Sequence, residues 1–149
     1  MNSHDDAAYR LRLSKEYLTD AEMDAKEKRW HTCLANAQEA VENAGKSILL
    51  HFRPIPATHD IEKLLEQLLN NKAVPRSVQE QLRSQLGAFR GMGMKTHIRA
   101  TYGDEEAHLT PRELIQRSEA TEGLDKARRA VALAEAIDRE INKSEDERK

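Results

Sequence analysis

Trp30-His-Thr-Cys-Leu-Ala-Asn-Ala-Gln-Glu-Ala-Val-Glu-Asn-Ala-Gly-Lys-Ser-Ile-Leu-Leu50 is the most regular stretch of the chain. Its small or apolar positions are Cys33, Leu34, Ala37, Ala40, Val41, Ala44, Ser47 and Ile48. They recur at spacings of three and four, which predicts an amphipathic helix with one continuous, narrow, Ala-rich face. Small side chains on that face let neighbouring helices approach closely. Arg53-Pro54-Ile55-Pro56 stops the helix, because proline lacks an N–H and restricts the residue before it. Gly45 lies inside at a cost of about 1 kcal/mol relative to Ala, which points to close backbone contact. Glu39 and Glu42 flank the apolar face, and Glu42 with Lys46 reads as an ordinary i,i+4 ion pair.

Working outward, the same reasoning yields more helices and no strand. Ala7, Leu11, Leu18, Ala21 and Ala25 mark one face of a first helix from Asp6 to about Lys28. Thr58-His59-Asp60 opens a third, with Ile61, Leu64, Leu65, Leu68 and Leu69 as its apolar side. Ser77-Val78-Gln79-Glu80 has the form of a capping box, and the fourth helix it starts fades near Gly91. Thr110-Pro111-Arg112-Glu113 is a second such box, with proline suited to the first helical turn. The last helix runs from there to about Ile141, with a break expected near Ser118–Gly123. The fold class is therefore all-α, an up-and-down bundle of about five helices.

Composition bounds the function. At 149 residues one domain is expected, over 6–142, with polar, flexible tails at 1–5 and 143–149. A net charge of −2 gives no general attraction to nucleic acid, so any such contact needs a local patch. The single cysteine, Cys33, excludes an intramolecular disulfide and a Cys-based zinc site. No apolar run approaches the ~18 residues of a membrane span, so a cytoplasmic protein without a membrane partner is expected.

One local patch stands out. Gln81–Gly103 carries Arg83, Arg90, Lys95 and Arg99 without one Asp or Glu, and four of the six glycines. Such a segment reads either as a solvated loop or as a place where backbone N–H groups and guanidinium groups converge on an anion. Arg90 and His97 are separated by six residues. A histidine can exchange a proton with a 2′-hydroxyl or leaving oxygen, and an arginine can stabilise the phosphate in the transition state. Tyr102 can donate a hydrogen bond or stack on a base. Metal chemistry has less support. Glu105-x-x-His108 has the spacing of carboxylate-bridged bundles, but those need two such pairs. His31, His51 and His59 have no partner spacing, so no metal and no cofactor are expected.

The order of these features resembles a HEPN domain, a small α-helical family often encoded beside minimal nucleotidyltransferases. The resemblance is carried by Ala37 to Lys46 (Ala-Gln-x-Ala-x-Glu-x-x-x-Lys), by Thr58-His-Asp-Ile61 with Leu64-Leu65, by Ala100-Thr-Tyr-Gly-Asp-Glu105, and by the helix around Glu119–Ala127. It implies a homodimer with an anion or RNA site in a cleft near the dimer interface. Many members are ribonucleases or toxins of toxin–antitoxin pairs, with a signature of Arg, four to six residues, then His, which Arg90 and His97 meet. On that footing His97 and Arg90 are the candidate catalytic residues. Arg99, Lys95 and Tyr102 are the candidates for holding nucleotide or phosphate. The resemblance also suggests a nucleotidyltransferase as partner protein, since the signature of that enzyme is absent from this chain. Branches without an intact signature resemble non-catalytic binding or adaptor modules, so a metal-independent endoribonuclease and a dimeric adaptor both stay open.

Overall fold

The computed structural model describes residues 3–147. Seven α-helices occur among them: α1 (Ser3–Lys26), α2 (Trp30–Leu50), α3 (Glu62–Leu68), α4 (Arg76–Gln85), α5 (Met94–Tyr102), α6 (Pro111–Leu114) and α7 (Arg117–Glu147). A single 3-10 turn, Leu86–Ala88, follows α4. The count exceeds the expected five because the Gly-rich segment and the Thr110 box each form a helix of their own.

Helix α2 is the centre, packed against α1, α5 and α7. The narrow face read from its sequence holds only for its first half. From Ala40 to Leu50 every residue is buried, Glu42, Asn43, Lys46 and Ser47 included. A helix buried all round must satisfy its polar side chains inside the protein. Ser47 does so by donating to the Ala7 carbonyl at 2.8 Å. Gly45 has the close contact expected of it, since a Cβ there would overlap Ile61 and lie 3.3 Å from Phe89.

The helix ends follow local chemistry. Lys28, at φ 58°, closes α1 in a left-handed turn. The Lys28 N–H bonds the Ala25 carbonyl and the Arg29 N–H the Asp24 carbonyl at 2.8 Å, which is the Schellman pattern. The Thr110 capping box is present in both directions, but it starts only the four residues of α6. The chain extends at Ile115, and α7 then continues unbroken through Gly123, over which Leu34 packs. The Ser77 box does not form: Pro75 occupies the cap position, and the Ser77 hydroxyl bonds Glu140 on α7 instead. Helix α3 starts at Glu62, which leaves Thr58, His59 and Asp60 in the connection before it. Helices α1 and α7 run on through Ser3–Asp5 and Lys143–Glu147, where polar tails were expected, and His4 bonds Asn142 at 2.6 Å across them.

The largest departure from expectation is α5. Gly91 and Gly93 suggested a loop, yet the nine residues after Gly93 contain neither Gly nor Pro and form a helix. Gly93 is its N-terminal boundary. There the Asp60 carboxylate accepts the Met94 N–H at 2.9 Å, a cap supplied from the α2–α3 connection. Gly103 is its C-terminal boundary, at φ 78°. A side chain there would overlap the Leu109 carbonyl and sit 2.9 Å from the Pro111 nitrogen.

Candidate functional site

Helix α5 crosses α2 where α2 carries a polar stripe. Gln38, Glu42 and Lys46 follow one another at intervals of four, with Glu39 beside them. Lys46 donates to Glu42 Oε2 at 2.8 Å, with side-chain exposures of only 10% and 4%. The i,i+4 pair read from the sequence is thus a buried salt bridge. Its other carboxylate oxygen, Oε1, lies 2.6 Å from His59 Nδ1 and accepts from Gln38 Nε2 at 3.2 Å. Gln38 Nε2 also lies 3.3 Å from the Met92 carbonyl, which ties α2 to the turn before α5.

His97 projects from α5 into this network. Its Nδ1 lies 3.3 Å from Gln38 Oε1 and 3.4 Å from Glu39 Oε1. The His97 ring stacks on His59, with centroids 4.3 Å apart and planes 15° from parallel. Two imidazoles therefore stand face to face, each beside its own carboxylate. Those carboxylates differ in character. Burial raises the Glu39 carboxyl above its ordinary pKa, and the neighbouring charge of Glu42 adds to this. Burial pushes Glu42 up as well, but hydrogen bonds from Lys46, His59 and Gln38 outweigh it and leave that carboxyl below the ordinary value. One carboxylate is locked into its hydrogen bonds, and the other is more easily protonated. Glu39, His59 and His97 each bring a donor atom within 4.8 Å of the others, the only such set of three or more potential metal ligands among the described residues.

The five residues singled out in the sequence fall into three places. His97 faces inward. Arg90, in the turn before α5, reaches Glu62 at 3.4 Å rather than His97, while Lys126 donates to its carbonyl. Lys95, Arg99 and Tyr102 share the outward side of α5, where with Ile98 and Gly103–Glu106 they line a groove of about 550 Å³. Arg99 is held there by Glu119 at 2.7 Å. Asp104 accepts the Ala107 N–H and bridges to Leu109. Glu105 and His108 lie exposed in that same loop. Linear reading did not connect Gln38 or His59 with His97, and it placed Glu39 and Glu42 only on the flank of the apolar face.

Comparison with protein families decides the classification. The family model of the HEPN domain matches residues 7–137. The chain belongs to the HEPN domain family. No curated protein and no solved structure matches it significantly. Membership supports a nucleotide- or RNA-related role at the level of the family. The stacked histidine pair, His59 and His97, lies within the matched residues. No helix among the described residues is long and apolar enough to cross a membrane.

Proposed function

We propose that this HEPN protein acts on RNA as a metal-independent endoribonuclease, with His97 as the proton carrier. The observation that carries the reading is the stacked pair: His97 beside Glu39 and His59 beside Glu42, rings 4.3 Å apart. Cleavage through the 2′-hydroxyl needs one group to take a proton and one to return it, and oriented imidazoles suit both tasks. Glu39 orients the His97 ring, and the more easily protonated carboxyl of Glu39 is a store for the proton. Lys95, which lines both the outer groove and a second cleft of about 200 Å³ between Asp60 and Gly93, is the cation best placed for the phosphate. Arg90 is assigned an outer phosphate contact rather than a role at His97, because its guanidinium lies with Glu62.

A second reading is favoured by a separate observation. Met94, Ile98 and Tyr102 form an i, i+4, i+8 stripe on α5, and all three are exposed. Apolar side chains with Lys95, Arg99 and Glu106 around them have the make-up of an interface, an apolar centre with a charged rim. The dimer expected for the family, or a nucleotidyltransferase partner, would cover this stripe, and the protein would then serve as an adaptor.

The test is incubation of mixed RNA with the purified protein and a chelator, beside His97→Ala. Cleavage that disappears in the variant supports the ribonuclease. Absence of cleavage by the wild-type protein excludes it and favours the adaptor.

A further inference from the structure

We infer that Glu39, His59 and His97 form a binding site for a divalent transition-metal ion of the zinc class. The three come from three separate elements (α2, the α2–α3 connection and α5), so no sequence spacing announces the set. Their donor atoms lie within 4.8 Å of one another. Zinc holds such donors at about 2.0–2.2 Å, hence roughly 3.4 Å apart in a tetrahedral site. Closing the set takes a movement of about an ångström. The stacked rings aim their in-plane lone pairs side by side, so they must splay to meet one ion. His59 is the ring with room to turn, its side chain being 34% exposed.

The surroundings suit a metal. Two imidazoles and one carboxylate, with no thiolate, match zinc and its neighbours rather than magnesium or calcium. Cys33 is buried elsewhere, where burial pushes its thiol up to about 11. Glu42 stands behind His59 at 2.6 Å in the carboxylate–histidine arrangement that selects a ligand's tautomer and raises its basicity. Glu42 itself is anchored by Lys46 and Gln38, so the supporting layer is rigid before any ion arrives. The Glu39 carboxylate faces the His97 ring at 3.4 Å, and a cation between it and the rings would relieve the burial of its charge. Three protein ligands leave a fourth position open, as in catalytic rather than structural zinc sites. A neutral imidazole has one free in-plane lone pair, which takes either a metal or a proton, so occupancy by metal and proton transfer by His97 exclude each other.

This inference stands on ligand geometry and does not depend on the ribonuclease reading, and its test uses no RNA. The full-length protein is stripped with chelator, exchanged into clean buffer and titrated with zinc chloride by calorimetry, and its melting temperature is followed in parallel. The expected result is one equivalent bound with a rise in melting temperature, with no rise from magnesium at the same concentration. Cobalt at the site should give the visible absorption of a four- or five-coordinate ion. His59→Ala and Glu39→Gln should each lower zinc affinity at least ten-fold while melting cooperatively without metal. No zinc binding by the wild-type protein overturns the inference. So does a response that magnesium reproduces, or one that either variant retains, which would mean adventitious surface binding.

Discussion

The two sides of α5 behave as different kinds of surface, although they share nine residues. On the inward side His97 meets Gln38, Glu39 and His59, which are anchored in a buried network running back to Lys46. On the outward side Arg99 is held only by Glu119 at a partly exposed position, and Ile98 and Tyr102 face solvent. Buried polar groups are costly to leave unpaired, whereas exposed pairs contribute little. The inward side therefore places its residues firmly and is expensive to alter. The outward side is cheap to alter and free to meet a ligand or another protein.

The strongest way to break this contrast is to cut the network at its root. Glu42→Ala leaves Lys46 charged and buried without its partner and removes the anchor of His59. Loss of one member of a buried pair costs about 3–5 kcal/mol. Denaturant unfolding of the variant should show a loss of that size. A loss below about 1 kcal/mol, typical of surface pairs, would mean that the network is solvated and the contrast false.

Gly103→Ala comes next and strikes both sides at once. The residue ends α5 at φ 78°, and its N–H bonds the Arg99 carbonyl at 3.0 Å. A methyl group would meet backbone of Leu109 and Pro111, which cannot swing away as a side chain can. Strain and overpacking of this kind cost about 1–3 kcal/mol. Equilibrium unfolding measures the loss, and it should exceed that of Gly87→Ala, where a Cβ meets nothing within 4 Å.

A smaller effect, with a definite sign, comes from the carboxylate beside His97. The raised pKa of Glu39 means that its contribution to stability is full below the ordinary carboxyl value of 4.5 and is lost as pH rises through the folded-state value. Glu42 runs the other way: its lowered pKa gives stability above 4.5 that disappears as pH falls through the folded-state value. Glu39→Gln should therefore raise the melting temperature at neutral pH, and the gain should vanish in acid. A gain independent of pH would mean that packing, not charge, is responsible.

These effects also explain what could be read from the sequence. Helix α2 was legible because Ala, Leu and Val recur on a 3.6-residue period, and Gly45 was a sign of close packing that Ile61 and Phe89 bear out. The Thr110 box was legible because both its hydrogen bonds are local. The Ser77 box was not, because its hydroxyl is taken by Glu140, 63 residues away. Helix α5 was hidden by the density of glycine, although Gly93 and Gly103 mark its two ends. His97 was singled out in the sequence for its separation from Arg90, yet its neighbours in the fold come from α2 and the α2–α3 connection. One signal for those neighbours was present. Gln38, Glu42 and Lys46 repeat every fourth residue beside the Ala-rich face of α2, and polar side chains that become buried there must be paired.

The smallest expected change in stability is also the sharpest test of the outward side. Arg99→Ala removes a guanidinium whose ion pair with Glu119 is partly exposed, so it should cost less than about 1 kcal/mol. Its effect should appear in binding instead. If Arg99 meets a phosphate, the variant should bind single-stranded RNA more weakly for every sequence, and the slope of log affinity against log salt should shrink by about 0.7. Lys95→Ala should do the same, since it lines the same groove. His97→Ala, on the other side of the helix, should leave that slope unchanged. An equal change in slope for all three variants would mean that α5 presents one electrostatic surface to the nucleic acid rather than two. An unchanged slope for Arg99→Ala and Lys95→Ala would instead assign the groove to a protein partner, for which Ile98 and Tyr102 supply the apolar centre.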